Sequence, residues 1–541
     1  IIKYGFFNGI TTITEIFVPG SVKEIEGDAF YDCEGLEIIR LQEGVEIIGG
    51  RCFSGCVNLK EFHMPKSIKQ IGWATYYNAD EFDVYYYGDI NSWLQIVFEE
   101  DRANPAAYAK NFYFNGSKLT ELIIPEGTTT INSYAFNGFT DVTKIVLPAS
   151  ITQTGYGSFR FVEADVYYGG TLEQWMNIDF GYTNYASVTL RRYDGNPIYY
   201  GKKLYINNEL VTNVTVPESI TYVKGGVFCG YEYLQSITFH NNIERIGDSA
   251  FFECNGLTNI VIPDSVVSIY ANAFTECANI ETITIGSGLK TLQSGTNGSK
   301  PFYGLPKLNK FIVSSENQYF SEQDGILYNK DKTEIIQVPY GVTSVIIPTS
   351  ITHIPDSCFA SCRYLKTVSI PTSVKTIGNS AFSGCISLTT LVIPDSVTSI
   401  GDDLVSSCFN LVTMTIGRNV TSIGSEAFSS DAFIFSNCFS ITEVYNKSSL
   451  NITAANFGNW VDNIYTPSSG SSKIIIDENG YVFYRYSSSY ALVGYFGNDT
   501  DLVLPDYVNN STYHIASHAF YSNPYITVIT IPSSLTVFYN E

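Results

Sequence analysis

The sequence has little methionine, little histidine and few positive charges. It carries 3 Met, 5 His and 31 Lys plus Arg against 53 Asp plus Glu, a formal charge of −22. Nucleic acids and anionic membranes attract basic surfaces, so neither is expected as a partner. No run of 18 apolar residues occurs, and no membrane-inserted helix is expected. GxSxG, P-loop, HExxH, EF-hand and CxxC patterns are absent, and no Cys/His spacing suits zinc. No cofactor, no metal site and no catalytic residue is therefore assigned. The chain opens on Ile1-Ile2-Lys3 and stops within Leu535-Thr536-Val537-Phe538, which reads as a piece of something longer.

Aromatic and apolar residues, by contrast, are plentiful. Tyr numbers 40 and Phe 35, and 45% of residues are apolar, enough for a large core. They recur with a period of 23. Pro348, Pro371, Pro394 and Gly417 fall on it, as do Phe7, Phe30 and Phe53, and Phe228, Phe251 and Phe274. Self-similarity at such a period is the mark of a solenoid. In Leu365-Lys366-Thr367-Val368-Ser369-Ile370 the apolar positions suit a strand with one face inward. Pro371 cannot donate to a ladder and closes that strand. Val374 and Ile377 suit a second short strand, and Gly378 a turn. Asn379 or Asp402 would cap a single helical turn carrying a pair such as Ala381-Phe382. One turn alone cannot bury these side chains, so they are stable only as a stack.

There are eleven cysteines, and most follow the same period. Cys33 and Cys56, Cys254 and Cys277, and Cys362, Cys385 and Cys408 form columns, and Cys438 continues the last after an insertion. Column members point the same way at strand spacing, about 4.8 Å. A disulfide needs Cβ atoms nearer 3.8 Å and turned toward each other. Free buried thiols are expected. The histidines are His63, His240, His353, His514 and His518; His240 stands in the Pro column, and His353 and His518 lie in regular turns, so repeat position accounts for these three.

The turn IPxSVxxIGxxAFxxCxxLxxLxI resembles the leucine-rich repeats of the BspA type, found in bacterial and some protist surface proteins. The resemblance implies a leucine-rich-repeat solenoid: a β-rich α/β chain of 23-residue turns with a parallel sheet along one face, short helical turns and inserted aromatic modules. It also implies an extracellular or cell-surface protein that is not an enzyme. Such a protein would serve adhesion or protein or glycan binding, with host or matrix proteins, other cells or glycans as partners. A passive spacer within a larger surface protein is the alternative, and an enzyme with a site at an insertion a distant one. A monomer is expected.

Four stretches break the period. Repeat turns occupy 1–75, 119–164, 211–312, 341–445 and, truncated, 503–541. Segments 76–118 and 165–210 are two copies of one module, in which Tyr85-Tyr86-Tyr87 and Trp93 correspond to Tyr167-Tyr168 and Trp175. Each reads as a strand, a short helix holding the Trp, and a returning strand. Segment 313–340 reads as a β-hairpin with Asp324-Gly325 and Asn329-Lys330-Asp331-Lys332 at its turns. Segment 446–502 is irregular, with a serine-rich run and Tyr-rich strands. Outward positions of the regular strands, such as Thr282, Thr284, Thr367, Ser369, Thr390, Val392, Thr413 and Thr415, are neutral and hold no convergent acid or base. Recognition is therefore expected at the modules, whose Tyr and Trp bring large contact area at little entropic cost. The candidate binding residues are Tyr85, Tyr86, Tyr87, Trp93, Tyr167, Tyr168 and Trp175. The competing reading makes some of these rings the modules' own cores.

Overall fold

The computed structural model describes residues 1–541 apart from 80, 183–192, 296–299, 425–427, 430–431, 434–440, 442, 453–462, 466–472, 486–488, 496–498, 517–518, 521–525 and 536–541. Cys438, His518 and the serine-rich run 468–472 lie outside the described residues. The protein is a parallel β-solenoid of about 20 turns of about 23 residues. It divides into two compact units, 1–280 with 288–304 and 281–287 with 305–541.

In the first unit each regular turn contributes one long and one short strand. Long strands β1 (Glu15–Val18), β3 (Ile38–Leu41) and β5 (Glu61–Met64) alternate with short strands β2 (Glu24–Ile25), β4 (Ile47–Ile48) and β6 (Gln70–Ile71). Pairing is parallel and in register, Ile16 against Ile39 and Ile39 against Phe62, so the inward residue of each strand stacks on its equivalent in the next turn. These inward side chains are buried. Each contributes about 1.5–3 kcal/mol once covered by its neighbours.

The first aromatic module continues this stack. It supplies β7 (Phe82–Tyr86), helix α1 (Ile90–Trp93), β8 (Val97–Phe98) and β9 (Ala109–Phe114). Strands β7 and β9 both join the long sheet after β5, and β8 joins the short-strand sheet after β6. A hairpin strand, β10 (Ser117–Lys118), closes the long sheet. The next sheets hold β11 (Glu121–Ile123), β12 (Thr130–Ile131), β13 (Lys144–Leu147) and β14 (Gln153–Thr154). The second module follows the same plan with β15 (Asp165–Tyr168), α2 (Leu172–Met176), β16 (Asp179–Phe180) and β17 (Leu204–Ile206). Here β15 and β17 extend the β11–β13 sheet, and β16 extends β12–β14. The modules thus occupy places in the stack.

The expected helical turns around the Ala-Phe pairs do not form; among the described residues α1 and α2 are the α-helices. Ser380, just before Ala381-Phe382, adopts φ 52°, and Gly384, just after Ser383, φ 70°. These left-handed residues break a helix and aim the backbone N–H groups along the stack. Ser380 N donates to Asp402 O at 2.7 Å, Phe382 N to Leu404 O at 2.9 Å and Gly384 N to Ser406 O at 2.7 Å. The Asx residues likewise serve the neighbouring turn: Asn379 Oδ1 accepts from Asp402 N at 2.8 Å. Gly378 is required by proximity, not by a turn: a Cβ there would lie 2.5 Å from Asp356 N. The Phe column stacks ring on ring, Phe359 on Phe382 at 5.0 Å and Phe251 on Phe274 at 5.1 Å.

The cysteine column has a role that small apolar thiols do not explain. Cys385 Sγ donates to Phe359 O at 3.1 Å, Cys408 Sγ to Phe382 O at 3.1 Å and Cys277 Sγ to Phe251 O at 2.9 Å. Each thiol therefore satisfies a carbonyl of the Phe column in the turn before it. The ten described cysteines are free, nine buried and Cys358 half-buried.

In the second unit, parallel long strands include Thr367–Ser369, Thr390–Val392, Thr413–Ile416 and Glu443–Asn446. Segment 313–340 holds more than a hairpin: strands Phe320–Gln323, Ile326–Asn329 and Ile335–Gln337 form a three-stranded antiparallel sheet. The first of its turns is Asp324-Gly325, both left-handed. A second antiparallel sheet pairs Ile474–Ile476, Tyr481–Arg485 and Tyr490–Tyr495, with Tyr513–Ile515 added in parallel.

Candidate functional site

Outward-facing residues of the first long sheet stand in two rows. Parallel register brings Phe17, Arg40, His63, Tyr85 and Tyr113 into one row, crossing β1, β3, β5, β7 and β9. The second row is Glu15, Ile38, Glu61, Asp83 and Asn111. Both follow from the pleat: residues two apart on a strand share a face, and equivalent residues of successive turns are neighbours.

The aromatic row is stacked. The His63 and Tyr85 rings lie 4.6 Å apart at 8°, and Tyr85 and Tyr113 lie 4.9 Å apart at 7°. Arg40 ties the two rows together. Its Nε donates to Glu15 Oε1 at 2.9 Å and its Nη2 to Glu61 Oε2 at 3.3 Å, while Nη1 lies 2.7 Å from His63 Nε2. His63 Nε2 also lies 2.9 Å from Glu61 Oε2, and His63 Nδ1 lies 2.7 Å from Tyr87 Oη, so the ring is held between Arg40, Glu61 and Tyr87. Asp83 accepts from Asn111 Nδ2 at 2.8 Å. Burial, and second to it the Asp83 carboxylate, pushes the Tyr85 phenol above its ordinary pKa. Asp83, Glu15 and Glu61 are engaged by these neighbours. Among the described residues no group of three or more His, Cys, Asp or Glu could hold a metal ion.

The second module repeats the arrangement. Tyr167 and Tyr205 face each other across β15 and β17 at 4.6 Å and 7°, and Lys144 Nζ lies 5.5 Å from the Tyr167 ring centroid. In the second unit a cavity of about 460 Å³ is lined by Thr390, Val412, Thr413, Tyr445, Ile474, Ile476 and Val482, none of them charged.

Four of the seven aromatic candidates are interior. Tyr86, Trp93 and Trp175 are 0% exposed and Tyr168 is 2% exposed, so they cannot meet a ligand. They are placed inside because alternation turns Tyr86 and Tyr168 inward, and because helices α1 and α2 lay their Trp rings on the following turn. Trp93 Nε1 donates to Ala135 O at 2.7 Å and Trp175 Nε1 to Val227 O at 3.2 Å. An Asn in each module grips the same turn: Asn104 Nδ2 donates to Tyr134 O at 2.8 Å and Asn196 Nδ2 to Gly226 O at 2.8 Å. Tyr85, Tyr87 and Tyr167 remain at the surface, with Tyr87 50% exposed. Sequence reasoning missed Phe17, Arg40, His63, Tyr113 and Tyr205. The first three were findable, since they sit 23 residues apart on an outward position. The outward face of these turns is charged and aromatic, unlike the Thr-lined strands further along.

Comparison with known proteins agrees with this architecture. The chain matches the BspA type leucine rich repeat region in six copies over residues 1–101, 107–165, 199–330 and 339–485. It belongs to the BspA-type leucine-rich-repeat family. Among solved structures, it is similar to a leucine rich cell surface protein from Faecalibacterium prausnitzii, at 21% identity over 64% of this chain and 92% of that one, TM-score 0.42. A leucine-rich repeat protein from Eubacterium ventriosum matches at 21% identity over 61% and 67%, TM-score 0.33. The pneumococcal vaccine antigen PcpA matches at 14% over 96% and 79%, TM-score 0.29. At these identities and scores they add nothing to the family assignment. No curated protein matches. Among the described residues no helix is long and apolar enough to cross a membrane.

Proposed function

We propose that this chain is a non-enzymatic extracellular or cell-surface protein that binds a partner through the aromatic rows of its modules. The observation that carries the reading is the stacked, outward-facing row His63–Tyr85–Tyr113 with Tyr87 beside it, repeated in smaller form by Tyr167–Tyr205. Rings already held in place lose little entropy on binding, and Tyr and Arg dominate binding energy at interfaces. The extracellular placement follows the family.

Ring geometry favours a protein partner, from host, matrix or another cell, over a glycan. A sugar stacks on a free ring face. Tyr85 lies between His63 and Tyr113, and Tyr167 between Tyr205 and the Lys144 ammonium. Both rings present edges and hydroxyls to a partner.

The test is a panel of matrix proteins and a glycan array probed with the wild type, with Y85A/Y87A/Y167A, and with Thr367, Thr390 and Thr413 replaced by Ala. Loss of about 10–30-fold in affinity for a protein in the tyrosine variant alone is expected, as for an interface hot spot. Binding that survives there and disappears in the threonine variant moves the site to the second unit. Binding to glycans that needs these tyrosines overturns the choice of partner.

A further inference from the structure

Among the described residues nearly all sulfur is interior, with Cys358 half-buried. Met64 and Met176 are 0% exposed and Met414 1%, and of the ten described thiols nine are buried. Apart from Cys358, the accessible oxidisable groups among the described residues are therefore chiefly aromatic. Among these, two tyrosine pairs are held in contact across neighbouring parallel strands: Tyr85 with Tyr113 at 4.9 Å and Tyr167 with Tyr205 at 4.6 Å, each at 7°. All four rings are partly accessible to solvent. Trp73, 51% exposed, is a competing site of oxidation, but among the described residues it has no tyrosine ring held in contact with it as the two pairs have.

We infer that these two pairs are sites of oxidative modification, at which a haem peroxidase with hydrogen peroxide joins the rings as dityrosine. Each phenol gives up one electron and its O–H proton. The two phenoxyl radicals couple through ring carbons ortho to oxygen, forming one C–C bond. The hydrogen on each coupled carbon shifts to its own oxygen, which restores both phenols. Each link thus costs the protein two hydrogen atoms, and one hydrogen peroxide takes the two electrons and two protons to become two waters. The strands hold both rings side by side before oxidation, which makes coupling effectively unimolecular. The links tie β7 to β9 and β15 to β17, covalently closing each module across its helix. Closing a loop in this way removes freedom from the unfolded chain and stabilises the stack. This inference does not rest on the proposed binding function.

The experiment treats dilute protein with a haem peroxidase and a small excess of hydrogen peroxide, then reads dityrosine fluorescence, intact mass and cross-linked peptides. The expected product is a monomer lighter by two hydrogen atoms per link, with Tyr85 joined to Tyr113 and Tyr167 to Tyr205. Y113F and Y205F keep the ring and the stack but cannot form a phenoxyl radical. Each single variant should retain one link, and the double variant should lose both. Y85F/Y167F, changing the opposite partners, should give the same loss. The inference is overturned if oxidation goes first to Trp73 or to sulfur, if the links join other tyrosines or other chains, or if either double variant keeps the wild-type dityrosine signal.

Discussion

Replacing Trp93 by Phe separates anchoring from recognition. The ring is 0% exposed and packs against Tyr86, Phe98, Phe112, Phe114 and Phe139 with centroids 5.0–5.8 Å away. Truncation to Ala would cost about 3–5 kcal/mol, the usual range for a buried Trp. Phe retains most of that contact and loses the Nε1–H donated to Ala135 O at 2.7 Å. That carbonyl is not orphaned, because Asn104 Nδ2 also donates to it at 3.1 Å. The loss is therefore about 1 kcal/mol for the hydrogen bond plus a similar amount for the missing part of the ring, about 1–2 kcal/mol in all. In a repeat protein each turn is stabilised by its neighbours, so the effect stays local. Amide hydrogen exchange followed by mass spectrometry is the assay. Peptides covering 82–114 and 130–139 should exchange about 5–30-fold faster in W93F, and peptides covering 344–400 should be unchanged. Partner binding through Tyr85 and Tyr87 should persist. Unchanged exchange in 82–139 together with lost binding would refute the anchor reading and return Trp93 to the interface.

The thiols should be inert in the native protein: burial pushes Cys56 from its ordinary 9.0 up to about 12 and raises Cys254, Cys362 and Cys385 as well. Alkylation read by peptide mass should find Cys358 first among the ten, and rapid labelling of Cys385 or Cys277 would contradict the buried ladder. The same shifts set a pH limit. A group whose acid form is favoured in the folded state retains its proton there while the unfolded chain loses it. Stability is therefore complete below pH about 9 and falls as pH rises toward 12. Denaturant midpoints from pH 7 to 11 check this, and a midpoint that rises above pH 9 would reverse the sign. Gly401→Ala should destabilise its turn by about 1–3 kcal/mol, since the new Cβ would meet Asn379 N at 2.5 Å. A thermal midpoint equal to wild type would show that the turns can spread.

Periodicity alone settled the solenoid, its 23-residue turn, the inward Ile and Phe columns and the free cysteines. Each of these depends only on which residues recur, and in a stack every turn buries its equivalents against the next. Chain composition could not settle the third side of the turn. A left-handed Ser357 or Ser380 donates its N–H to the neighbouring turn, and only the stack supplies those acceptors. Nor could it tell Tyr85 from Tyr86 as binding candidates. Alternation separates them, but which parity faces outward depended on β7 entering the long sheet beside β5, with Tyr85 opposite His63 and Tyr86 opposite Met64. Tertiary register also assembled the row of Arg40, His63, Tyr85 and Tyr113 from four strands. Side chains that meet across parallel strands are distant in sequence, and a module of irregular length hides the spacing that would have joined Tyr85 and Tyr113 to Arg40 and His63.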